Sequence, residues 1–225
     1  MGAMPEEIAP ILEKVGTYKS TDIADNSYYE ANYNGVDLVI AYSKIGKVFS
    51  TLTASTMIHR FGVEKMLFSG VAGGINPALK IGDLIVAKEL CQHDLDITAF
   101  GHPHGFVPGG SQFVKTDAAL RQLAFEVAKE MAKPLQEGTI ATGDQFVHDP
   151  ERKAFIESTF HADALEMEGA SVAVVCDALD VPVFILRAIS DTADTDASFN
   201  FDAFMESSAK ISADFIMKMV DKLER

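Results

Sequence analysis

The sequence predicts one α/β domain spanning residues 1–225, with a mainly parallel sheet covered by helices. Two observations carry this. At 225 residues, 48% of them apolar and with no low-complexity interruption, the chain suffices for one sizeable core and is short for two domains. Strand-length apolar runs also alternate with helical patterns along most of its length, the order expected of strand–helix–strand units.

Taken in order, Glu6 and Glu7 open a helix from Pro5 to Val15, where acidic residues are ordinary partners of the helix dipole. Asp25-Asn26 marks a turn, and Asn34-Gly35 separates the strand-like runs Ser27 to Tyr33 and Val36 to Ser43, which reads as a hairpin. A helix over Val48 to Arg60 stops at Gly62. Strands come next at Lys65 to Val71 and Leu84 to Cys91. The segment from Gln92 to Gly110 is broken by glycines and prolines, and a loop this long covers a site or makes an interface. Asp117 is an N-cap candidate for a helix reaching Met131. Strands at Gly138 to Thr142, Ala164 to Met167 and Val183 to Ser190 complete the sheet, with a helix over Gly169 to Leu179 between the last two. A final helix over Asp202 to Leu223 carries Phe204, Ala209, Phe215 and Met219 on an apolar stripe.

Composition excludes several functions. A net charge of −14 repels a polyphosphate backbone, and the five arginines (Arg60, Arg121, Arg152, Arg187, Arg225) are scattered, so nucleic acid is not an expected partner. No run approaches the roughly 20 apolar residues of a membrane helix. Met1 to Ile8 lacks a basic segment followed by an apolar one, which makes the cytoplasm the expected compartment. Cys91 and Cys176 form no CxxC or zinc spacing and read as core thiols. His93, Asp94, Asp96, His102 and His104 fall in one region, yet their spacing defines no coordination geometry, so no metal is expected. Neither GxGxxG before a helix nor GxxxxGK[ST] occurs, and no GxSxG elbow is present.

In parallel sheets the ligand lies beyond the carboxyl ends of the strands, so the residues just past each strand are informative. Five ends are unusual: Ser43 to Lys47, Ser69 to Gly74, Thr142 to Val147, Leu165 to Gly169 and Arg187 to Asp191. Together they point to one shared pocket. Gly70 to Gly74 reads as a loop that admits close backbone approach to a ligand or, equally, as a tight strand-to-helix turn. Glu166 and Glu168 sit two apart, either on one side of a strand, where they repel, or at a helix start. Asp191 emerges where an apolar strand ends, either as a carboxyl with a raised pKa or as a solvated N-cap.

Read together, Gly2-Ala3-Met4-Pro5-Glu6-Glu7, Ser43-Lys44-Ile45-Gly46-Lys47-Val48, Gly143-Asp144-Gln145-Phe146, Glu166-Met167-Glu168-Gly169-Ala170 and Arg187-Ala188-Ile189-Ser190-Asp191 resemble the 5′-methylthioadenosine/S-adenosylhomocysteine nucleosidases over nearly the whole chain. Tyr42 to Val48, Gln92-His93-Asp94 and Ala99 to Pro108 resemble the subgroup acting on 6-amino-6-deoxyfutalosine. The resemblance implies a three-layer α/β/α domain of the purine nucleoside phosphorylase type, with a central mixed sheet flanked by helices. It also implies a homodimer and no cofactor.

It further implies roles. Asp191, held by Ser190, would protonate adenine N7; Glu7, with Arg187 nearby, would activate water; Glu168 would take the ribose 2′-hydroxyl. Phe146 and Val147 would hold the adenine, and Met167, Phe201 and Ile45 would enclose the sugar. Glu166, Ala3, Met4, Val71, Ala72 and Gly73 complete the expected substrate-binding set. Phe100, His102 and Pro108 of a second subunit would line the pocket for the 5′-substituent. Two departures stand out. The family's first strand precedes the Gly-Ala-Met segment, whereas here only Met1 does, so that strand is expected to be missing and its neighbours' backbone groups unpaired. Val71 stands where many relatives carry serine, removing one hydroxyl.

The expected reaction is hydrolysis of the N-glycosidic bond of 5′-substituted adenosines: methylthioadenosine, S-adenosylhomocysteine, 5′-deoxyadenosine or aminodeoxyfutalosine. A purine nucleoside phosphorylase is the nearest rival and needs a cationic phosphate site that the glycine-rich strand ends do not offer. A non-catalytic nucleoside-binding module is the rival from another class.

Overall fold

The computed structural model describes residues 1–192 and 197–223, with side chains described for 1–191 and 207–223. Nine strands are described: β1 Lys19–Ile23, β2 Asn26–Tyr33, β3 Val36–Ala41, β4 Met66–Gly74, β5 Leu84–Gln92, β6 Val114–Lys115, β7 Leu135–Thr142, β8 Ala164–Glu166 and β9 Val183–Thr192. Six α-helices accompany them: α1 Pro5–Val15, α2 Lys47–Phe61, α3 Ala118–Glu130, α4 Pro150–Phe160, α5 Gly169–Ala178 and α6 Ala197–Val220.

β1, β2 and β3 form an antiparallel sheet whose tight turn is the predicted Asn34-Gly35, both at positive φ (51° and 85°) as a two-residue hairpin requires. The second sheet runs β6-β5-β7-β8-β4-β9 and mixes parallel with antiparallel pairs. β9 also pairs with β5, so five of its strands close on themselves. Along β9 the side chains alternate between two cores. Phe184, Leu186 and Ala188 pack with α1, α3 and α6, while Val183, Ile185 and Ile189 pack with α2 and α5. This is the expected helix–sheet–helix layering, and the alternation puts Arg187 on the α2–α5 side.

No described strand precedes α1. Instead Met1 and Gly2 stitch the two sheets together: Gly2 bridges Tyr42 in parallel register, and Ser69 N–H donates to the Met1 carbonyl at 3.0 Å. Farther along the same gap, a cleft of about 850 Å³ opens between β3 and the start of β4, lined by Val36, Leu38, Ile40, Met66, Ile216 and Val220 among others. None of the predicted site residues lines it.

Several elements differ from the sequence reading, among them β6, β7, which begins at Leu135 rather than Gly138, and β9, which runs on to Thr192. Gly70 to Gly74 is not a loop but the continuation of β4, because Gly70 pairs with Arg187, and Gly73 and Gly74 pair with both β8 and β9. β1 and α4 lack the apolar periodicity that exposed the others, although Asp149-Pro150, an N-cap followed by proline at the first helical position, marks the start of α4. The last helix begins at Ala197, five residues before Asp202.

Candidate active site

Four buried carboxylates, Glu7, Glu166, Glu168 and Asp191, gather at the predicted strand ends against two buried cations, Arg187 and Lys153, among the described residues. Each carboxylate is placed by a different local rule.

Glu7 is the third residue of α1 and turns back to close the helix start. Its Oε2 accepts from Ala3 N–H and Met4 N–H, and its Oε1 accepts from Val71 N–H at 3.1 Å. Ala3, Met4 and Val71 therefore act through their backbones, so the loss of a serine hydroxyl at Val71 leaves this contact intact. Burial raises the Glu7 pKa, opposed by Arg187 and the three amides.

Glu166 ends β8, and Glu168 is the N-cap of α5, so each alternative reading of the Glu-Met-Glu string describes one of the two residues. Glu166 is fully engaged. Its Oε2 accepts from Arg187 at 2.6 Å, Gly169 N–H at 2.7 Å and Glu168 N–H at 3.1 Å, while Oε1 takes the Thr142 hydroxyl. Glu168 accepts a single described bond, from Gly46 N–H at 2.8 Å. Burial and the neighbouring Glu166 push its pKa up to about 8. Arg187 rests its guanidinium on the Phe68 ring at 4.2 Å, and Glu166 and Glu7 raise its pKa against the effect of burial.

Asp191 is set by a bulge. Ala72 pairs with Ile189, but Gly73 pairs with Asp191, so Ser190 is passed over and Asp191 is brought opposite Gly73. Ser190 Oγ donates to Asp191 Oδ1 at 2.9 Å and lies 3.4 Å from the Ala72 carbonyl. Burial raises the Asp191 pKa, and the Ser190 hydroxyl and Lys153 oppose it.

Two glycines of β4 explain why these carboxylates fit. A Cβ on Gly70 would lie 2.5 Å from Glu7 Oε1 and 3.0 Å from Arg187 Nη1, and one on Gly73 would lie 3.0 Å from Asp191 Oδ2. Glu7 and Asp191 thus lean on the same strand three residues apart, roughly 10 Å along it. That spacing leaves room for a small molecule between the two carboxyl groups.

The remaining predicted residues are more open to solvent. Ile45 and Phe146 are about half exposed, Met167 and Val147 are half-buried, and Phe100 is 82% exposed. His102 stacks on Phe106 inside the 92–110 loop, and no hydrogen bond among the described residues ties Phe100, His102 or Pro108 to the carboxylates. Phe201 lies outside the residues whose side chains are described. Sequence reasoning assigned no role to Thr142, Gly46, Phe68 or Lys153. Thr142 and Gly46 do stand at two of the unusual strand ends, whereas Phe68 and Lys153 carry no local signal. Among the described residues, no group of three or more His, Cys, Asp and Glu side chains converges as a metal site would require, and no helix is long and apolar enough to cross a membrane.

The chain is similar to known proteins over almost its whole length. A sequence profile described as the phosphorylase superfamily matches residues 1–221. The chain is 60% identical over 223 residues to an aminodeoxyfutalosine nucleosidase of Campylobacter jejuni, covering 99% of this chain and 97% of that one. It is 36% identical over 228 residues to a 5′-methylthioadenosine/S-adenosylhomocysteine nucleosidase of Anoxybacillus flavithermus, covering 100% and 98%. Among solved structures, a futalosine hydrolase of Helicobacter pylori superimposes with a TM-score of 0.97 at 53% identity, covering 99% of this chain and 96% of that one.

Proposed function

The chain belongs to the phosphorylase superfamily, and from that membership and its carboxylate cluster we propose that it hydrolyses the N-glycosidic bond of 5′-substituted adenosines, releasing adenine. The observation that carries this is that the buried carboxyl groups of Glu7 and Asp191 lean on one strand three residues apart, at Gly70 and Gly73. A ribosyl group departing from its base becomes oxocarbenium-like, and fixed negative charge in a dry site stabilises that cation as it forms. Arg187, the arginine of the cluster, is already paired with Glu166 and offers phosphate no free guanidinium, so water is the better nucleophile here and phosphorolysis is disfavoured.

Each residue then has one task. Asp191, its pKa raised by burial, gives its proton to adenine N7 so that the base leaves neutral, and Ser190 holds the carboxyl in place. Glu7, anchored by the Ala3, Met4 and Val71 amides, orients the attacking water and accepts its proton. Glu168, oriented by Gly46, accepts the ribose 2′-hydroxyl and strengthens that bond as charge develops. Glu166 fixes Arg187 and the start of α5 rather than touching substrate. Phe146 and Val147 hold the adenine, and Ile45, Met167 and Phe201 enclose the sugar. The substrates that fit this chemistry are methylthioadenosine, S-adenosylhomocysteine, 5′-deoxyadenosine and aminodeoxyfutalosine.

The working unit is a cytoplasmic homodimer in which Phe100, His102 and Pro108 of one subunit close the 5′ pocket of the other. Supporting this, Ile45, Val48, Phe49 and Leu52 expose apolar side chains on and beside α2, next to the sugar end of the site. The test is adenine release from methylthioadenosine and from aminodeoxyfutalosine in phosphate-free buffer. A strict requirement for phosphate with a ribose 1-phosphate product overturns hydrolysis, and tight binding without release returns the chain to a binding module.

A further inference from the structure

We propose that Asp94 is a positioning residue for this reaction, clasping together the two loops that wall the nucleoside pocket. Asp94 lies just past β5 and touches neither Glu7 nor Asp191 in any described bond. Its Oδ1 accepts from Lys47 Nζ at 2.7 Å, and its Oδ2 accepts from the backbone N–H of Asp144 at 2.8 Å. The Lys47 backbone N–H in turn donates to Asp144 Oδ1 at 2.8 Å, which closes a ring of three residues. Gln92 Oε1 takes a longer bond from the same lysine, at 3.3 Å.

Each corner of the ring adjoins a wall of the pocket. Lys47 is the first residue of α2 and comes directly after Gly46, whose N–H orients Glu168, and Ile45, which faces the sugar. Asp144 precedes the segment carrying Phe146 and Val147, at the adenine. The fit is tight on both sides of the ring. Gly46 has φ +98°, and a Cβ there would lie 2.9 Å from Asp144 Oδ1; a Cβ on Gly143 would lie 2.4 Å from the buried His93 ring. The Lys47 and Asp94 side chains are 19% and 15% exposed, so solvent screens their attraction only partly. Burial alone would raise the Asp94 pKa, but the bonds from Lys47 and the Asp144 amide hold it below the usual value. The carboxylate is therefore charged at neutral pH.

The consequence is geometric. Without the clasp the adenine wall and the sugar wall move independently, and a displacement of about 1 Å at such a site costs roughly 100-fold in rate.

The inference rests on the nucleosidase reading above, and its test separates the two. The full chain is compared with Asp94→Asn, which keeps an acceptor for the Asp144 amide but loses the ion pair, and with Asp94→Ala, which loses both. With methylthioadenosine, kcat/KM should fall by about 10- to 100-fold in Asp94→Ala and by less in Asp94→Asn. The loss should appear mainly in KM, with the alkaline limb of the pH profile unmoved because Asp191 is untouched. Amide exchange of residues 142–148 should quicken in Asp94→Ala while the rest of the sheet keeps its protection. If the variant matches the full chain within twofold in KM and kcat and exchange over 142–148 is unchanged, the clasp is overturned. If the unmodified chain releases no adenine, the nucleosidase reading fails and takes the catalytic role of Asp94 with it. Exchange would then report only whether the ring holds the loops.

Discussion

Arg187 and Glu166 meet at 2.6 Å with side chains 1% and 2% exposed, and this pair is the pivot on which the other carboxylates are arranged. Removing one partner of a buried pair leaves the other unpaired at a cost of about 3–5 kcal/mol. Arg187→Met should therefore lose that much in urea unfolding at neutral pH. A change below ~1 kcal/mol would show that the pair contributes little to stability.

Gly70→Ala places a methyl group where Glu7 Oε1 already lies, 2.5 Å from the new Cβ. The carboxylate must swing away from the water it orients. Turnover should drop by roughly 100-fold or more, while Tm, followed by circular dichroism, shifts by only a few degrees. Retained turnover would remove Glu7 from its assigned role.

Asp191→Asn cannot deliver a proton to the departing base. The loss in kcat should be about 10²- to 10⁴-fold, the range general acids supply, with methylthioadenosine affinity by calorimetry nearly unchanged. The pH profile supplies a second check. In the unmodified enzyme kcat/KM should rise as Glu7 ionises and fall as Asp191 loses its proton, both above ordinary carboxylate values because burial raises both groups. A persisting alkaline limb in the variant would assign that limb to another group.

Glu168 makes folding pH-dependent. Its pKa rises from 4.5 in the unfolded chain to about 8 in the folded one, so the folded state holds the proton more tightly. Its contribution is fully present below pH 4.5 and is lost as pH climbs through about 8. Glu168→Gln should be the more stable protein at pH 8 and lose that advantage in acid, read as Tm across pH. Each 1 kcal/mol corresponds to roughly 2–4 °C at this size. Parallel curves for the two proteins would contradict the raised pKa.

Val48 is 75% exposed on α2 within the proposed subunit interface. Val48→Glu should convert a dimer into monomers in sedimentation velocity and weaken substrate binding, since the partner's loop no longer closes the 5′ pocket. A monomeric parent, or a dimer indifferent to the change, would place the interface elsewhere.

The sequence exposed those parts of the molecule whose signal is local. The Asn34-Gly35 hairpin, the Gly62 stop and the apolar period of β9 depend on neighbours along the chain, and all are found where expected. The Gly70 to Gly74 stretch misled because glycine announces a turn, whereas here it makes room for two carboxylates arriving from α1 and β9. Nor could spacing tell Glu166 from Glu168. Their difference lies in partners more than 20 residues away: Arg187 and Thr142 for the one, Gly46 for the other.

The closure of β9 against both β4 and β5 has a consequence for synthesis of the chain. Glu7 leaves the ribosome well before β9, the strand that supplies Arg187, Ser190 and Asp191. Until it inserts, β4 and β5 lack a shared neighbour, and the acidic cluster has neither the Arg187 guanidinium nor Asp191. Assembly of the site thus waits on a long-range pairing, which is the slow kind. A nascent chain stopped before β9 holds Glu7 without Asp191, so the proposed catalysis waits on completion of the sheet.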